Sequence, residues 1–167
     1  MEGNEKRIVV NEDDSLILEI YDKKGNKTGE CLQFDLGDID LPLRYQELIE
    51  KDKKNRETLR NAILVIEKRQ DVPGKNYLSK NQEDSVRAVV DFFKKEVEIY
   101  NMFLGENGVQ KLLNGRKLKW DTLEEIDHII NEQIRPYIEE DIKKVKEKVI
   151  NVYGKYQNKG DEIEVLE

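Results

Sequence analysis

The chain has 167 residues, 37% hydrophobic and 39% charged, with a single cysteine and a net charge of −7. That length suits one domain with a core that needs no metal or cross-link, and the lone Cys31 excludes an internal disulfide and fits a reducing cytoplasm. No apolar run approaches about 18 residues and the amino terminus is not signal-like, so neither a membrane span nor secretion is expected.

The charge is unevenly placed. Residues 1–40 carry five Lys/Arg against eleven Asp/Glu, and residues 155–167 carry two against four, leaving the stretch between nearly neutral at +1. Nucleic-acid binding needs a basic face to neutralise phosphates, and this distribution argues against one.

The first forty residues predict a three-stranded antiparallel meander. Arg7–Val10 and Leu16–Tyr21 flank a turn-like acidic segment. Leu16, Leu18 and Ile20 alternate with Ile17, Glu19 and Tyr21, the period of a half-buried strand. A Gly25-Asn26 turn leads into Thr28–Phe34, where Leu32 and Phe34 share a face. Three strands need a cover on one face, so the expected fold is α+β and mostly helical, the meander packed on about four helices. The expected single domain spans residues 1–153, with strands in 1–40 and helices in 41–153, followed by a flexible acidic tail from 154 to 167.

Asp40 is placed to cap a helix with Pro42 in its first turn, and this helix extends to about Arg69. Its middle, Glu50 to Thr58, contains no apolar residue. No Gly or Pro interrupts it, so a continuous helix with a solvated, projecting middle is expected; the alternative is two helices with a break. Pro73-Gly74 marks a loop, and Ser79 and Gln82 have the spacing of a capping box. Val86, Val89, Val90, Phe93, Val97, Tyr100 and Leu104 form the stripe of the next helix, which Gly105 ends. Asn107 opens a short helix closed by Asn114-Gly115. Thr122 and Glu125 have capping-box spacing for the last helix, whose Ile/Val seam runs from Ile126 to Val152. Pro136 lies inside it and predicts a kink or break near Gln133.

The segment Asn101–Ile130 gathers the chain's only Trp and only His with three glycines, yet it carries no recognisable catalytic constellation. His128 lies one turn from Glu124 and Glu132 and reads as an exposed helical residue. The acidic groups Glu124, Glu125, Asp127 and Glu139, Glu140, Asp141 read as helix-dipole and i,i+4 partners rather than as a cation site. Gly105-Glu106-Asn107-Gly108 lacks the lysine of a phosphate loop, Pro73-Gly74-Lys75-Asn76 reads as an exposed turn, and Cys31 reads as a small packing residue. No catalytic residue, cofactor site or metal site is expected. Trp120 covers a helix end or anchors a partner.

The acidic strand-rich start, the helix opening Asp40-Leu41-Pro42-Leu43-Arg44-Tyr45, the turn Phe103-Leu104-Gly105-Glu106-Asn107-Gly108 and the close Leu112-Leu113-Asn114-Gly115 form a layout. Over roughly residues 5–150 it resembles the tail assembly chaperones of phages and prophages of Gram-positive hosts. The resemblance implies a non-enzymatic protein of the host cytoplasm that binds the helical tape-measure protein, helps recruit tail-tube subunits and is absent from the finished particle. In many such proteins a frameshift yields a longer form. A chaperone of this kind needs an apolar groove rimmed by charge. Leu104, Val109, Leu112, Leu113 and Trp120 are expected to line that groove or a self-association surface. The alternatives are a structural tail or capsid-adaptor component retained in the particle, and a small regulatory nucleic-acid-binding protein.

Overall fold

The computed structural model describes residues 15–163, with side chains to residue 155. Two strands, β1 (Ser15–Tyr21) and β2 (Lys27–Asp35), pair antiparallel with Leu16 opposite Phe34 and Leu18 opposite Leu32. The period-2 expectation holds: Leu16, Leu18, Ile20, Leu32 and Phe34 turn inward, while Ile17 and Tyr21 are exposed. The connecting turn is fixed by Asp22, whose carboxylate accepts from the backbone N–H groups of Lys24 and Asn26. Among the described residues the sheet has two strands rather than three; the expected strand Arg7–Val10 lies outside them.

Four long or medium helices and one short one complete the α+β fold: α1 (Leu41–Lys68), α2 (Lys80–Leu104), α3 (Gly108–Leu113), α4 (Trp120–Ile129) and α5 (Arg135–Ile163). A π-helical turn, Ile130–Ile134, joins α4 to α5. Pro136 has no N–H to offer the carbonyl one turn back, and its ring crowds that carbonyl. The widened turn before it absorbs the conflict, which gives the expected kink a defined form. α1 is continuous from Leu41 to Lys68, and it pairs with α2 along an antiparallel hairpin. The capping box at Ser79 forms as expected: Ser79 Oγ accepts from Gln82 N–H at 3.3 Å, and Gln82 Oε1 accepts from Ser79 N–H at 3.0 Å.

Gly105 ends α2 at φ 92° and ψ 176°, a backbone region closed to residues with a Cβ. The chain folds back so tightly that a Cβ on Gly108 would lie 2.4 Å from Leu104 Cβ. Asn107 precedes α3 at φ 57° but gives no side-chain cap; Asn101 Oδ1 instead accepts from Val109 N–H at 2.8 Å. α4 starts three residues earlier than expected, with Lys119 rather than Thr122 at its N-cap. Thr122 is its third residue, and Thr122 Oγ1 accepts from Lys119 N–H at 2.8 Å. Glu125, expected to complete that cap, pairs with Arg116 at 2.6 Å.

One hydrophobic cluster joins the inner sheet face to α1, α2, α3, α4, the π turn and the start of α5. Phe34, Tyr45 and Phe103 meet at its centre, with ring centroids 5.5 and 5.7 Å apart. α5 passes through Gly154 to Ile163, where the sequence predicts a flexible tail from 154. Gly154 and Gly160 each cost the helix roughly 1 kcal/mol, which does not stop one already propagating. No helix among the described residues is long and apolar enough to cross a membrane.

Candidate functional site

Three of the five expected contact residues are core residues. Leu104, Val109 and Leu113 are 3%, 1% and 7% exposed, and Leu112 packs against the same cluster. The reason is the Gly105–Gly108 turn, which lays α3 back over the end of α2 and against β2. Lys111 Nζ then reaches the Cys31 carbonyl at 3.4 Å. A six-residue helix has only one apolar side, and here that side is already used. Those residues therefore build the support of a surface, not the surface itself.

Trp120 differs. It is 47% exposed at the first turn of α4, its indole stacked on Phe92 (centroids 5.0 Å, 26° between planes) and tilted against Phe93 (4.8 Å). Its free face borders a groove of about 380 Å³ lined by Leu59, Ile63 and Leu64 of α1, with Phe92 as floor and Arg56 and Arg60 at the edge. Leu64 is exposed. Arg60 makes no ion pair among the described residues, whereas Arg56 is held on both sides, Nε to Asp52 at 2.7 Å and NH2 to Asp127 at 3.2 Å.

Arg56 connects the groove to a polar layer inside the α1–α2–α4 packing. Asn55 Nδ2 donates to Glu96 Oε1 at 2.6 Å and to the Phe92 carbonyl at 3.2 Å. Glu96 is fully buried, and its second oxygen has no hydrogen-bond partner. Burial pushes the Glu96 carboxyl up to about 7; the Asn55 bond opposes this and the neighbouring Asp52 adds to it. Tyr100 donates its hydroxyl to Asp127. Burial raises the Asp127 carboxyl as well, against the Tyr100 bond and the Arg56 charge. Among the described residues no three carboxylate, imidazole or thiol groups converge as a cation site.

This layer corrects the expectation of a solvated middle in α1. Leu48, Asp52, Asn55, Leu59, Ala62 and Ile66 recur at alternating four- and three-residue intervals, so the inward stripe passes straight through the polar run. Counting apolar residues hides it; following the spacing finds it. Asp127, read as one of a surface acidic group, belongs to the same layer, while Glu124 and His128 are exposed. Cys31 is a free, exposed thiol on the outer sheet face, not a packing residue, because the register that turns Leu32 inward turns Cys31 out. No family model, curated protein sequence or solved structure matches the chain significantly.

Proposed function

We propose that the protein is a non-enzymatic tail assembly chaperone that holds amphipathic helical segments of a tape-measure protein in the host cytoplasm during phage tail assembly. The observation that carries this reading is the Trp120 groove: an exposed indole on an aromatic support beside Leu59, Ile63 and Leu64, edged by two guanidinium groups. A helical client buries apolar side chains spaced a turn apart, and a groove between helices accepts such a stripe. Arg60, which makes no ion pair among the described residues, favours clients with an acidic residue flanking the stripe. The sequence layout supplies the identity of the client class, and tail-tube subunits are a second candidate partner.

Co-purification with a tagged tape-measure segment tests the reading. Wild-type protein is retained; Trp120→Ala and Leu64→Glu, both at exposed positions, lose roughly thirtyfold in affinity, the loss of about 2 kcal/mol expected for a central aromatic contact. Unchanged retention of both variants contradicts it. Mass spectrometry of finished particles separates this role from that of a tail or adaptor component, which stays in the particle.

A further inference from the structure

We propose that residues 5–14, the segment that precedes β1, dock onto the second half of α5 in the same chain. This contact is separate from the Trp120 groove and does not depend on the client. The receiving surface is a cleft of about 410 Å³ between α5 and the link from β2 to α1, lined by Leu36, Ile39 and Pro42 on one side and Val145 and Val149 on the other. Ile39 and Val149 are 75% and 63% exposed. Aliphatic side chains gathered in a concave site favour an apolar cover over water.

Place, apolar content and charge select this occupant. Ser15 pairs with Asp35 across the sheet, and Leu36 and Gly37, the next two residues of the chain, line the cleft. The segment therefore joins the fold at the edge of the cleft. Residues 11–14 reach roughly 13 Å when extended, enough to carry the residues before them over it. Those residues are Ile8, Val9 and Val10, three consecutive β-branched side chains that match the aliphatic lining. Residues 1–14 hold five acidic and two basic residues, whereas residues 143–148 of α5 hold four lysines and one glutamate. Lys148 borders the cleft and makes no ion pair among the described residues. The opposite charges draw the segment toward α5. A link this short also holds it at a roughly millimolar effective concentration, so the chain's own segment outcompetes one arriving from solution.

Limited trypsin digestion of the full chain, followed by mass spectrometry, tests this. Docking shields the bond after Arg7, so cleavage there is slow in the wild type. The double variant Val145→Glu/Val149→Glu is cut at that bond about tenfold faster or more, because the open segment becomes the prevailing form. Its helical circular dichroism spectrum is unchanged, since both residues are exposed. Placement is read by cysteine pairs in a Cys31→Ser background. Val9→Cys with Val149→Cys oxidises to a disulfide within one chain. Val9→Cys with Glu147→Cys, on the opposite side of the helix, does not. Equal cleavage rates in the wild type and the glutamate variant overturn the proposal. So do cross-linking of both pairs alike, cross-linking of neither, and a cross-linked product of twice 19.7 kDa, which places the segment on a second copy.

Discussion

At Glu96, Oε1 accepts from Asn55 and the carboxyl neighbours Asp52, which accepts from Arg56. Only a protonated Glu96 has a hydrogen to offer Asp52, so burial and this neighbour both favour the neutral acid. The ordinary value of 4.5 governs the unfolded chain and a value of about 7 the folded one. Between these limits the folded protein binds more protons, so stability falls as pH rises from 4.5 through 7, by a total on the order of 3 kcal/mol. The surface carboxylates Asp22, Asp71 and Asp84 lie below their ordinary values through hydrogen bonds and ion pairs, and they act in the opposite sense in more acid solution. We expect Glu96→Gln to melt higher than wild type at pH 8 and to lose most of the slope between pH 5 and 8. Equal slopes in thermal melts of the two proteins contradict the assignment. Arg56 is the residue where this layer reaches the surface, because one guanidinium serves both Asp52 and Asp127 and edges the groove.

Among the elements, the α2–α3 corner depends on a conformation that only glycine adopts without strain. Gly105→Ala should cost about 1–3 kcal/mol, the penalty for a Cβ in that backbone region, although the space around it is open. Chemical denaturation measures it, and a loss below about 0.5 kcal/mol shows that the corner relaxes. Elements set by local rules were legible in the sequence. The alternation in β1, the Ser79–Gln82 box, the stop at Gly105 and the disruption ahead of Pro136 each follow from one or two residues and their neighbours. The middle of α1 was not, because Asn55 gains its partners from α2 and Arg56, which holds Asp52, also reaches Asp127 of α4, while a composition count reads all three as solvated. The start of α4 was misplaced for a related reason. Thr122 is a good capping residue at more than one position, and only its bond to the Lys119 N–H decides which.

At the scale of the whole molecule, a hairpin sheet and the start of α5 close one core, while the Trp120 groove and the far half of α5 lie outside it as two separate apolar surfaces. Trp120, expected to cover a helix end or to anchor a partner, is half-exposed at the start of α4. Leu104, Val109 and Leu113 were not distinguishable from it, since apolar character announces burial without saying whether the cover is this chain or another. The groove holds the only tryptophan in the sequence, so its fluorescence reports occupancy directly. The most direct measurement is therefore a titration of the protein with a tryptophan-free, amphipathic tape-measure segment, followed by the emission of Trp120. We expect a saturable blue shift as the exposed indole is covered, and its loss in Leu64→Glu. Calorimetric binding of the same segment with the Trp120 emission unchanged, or no binding at all, contradicts the groove as the client site.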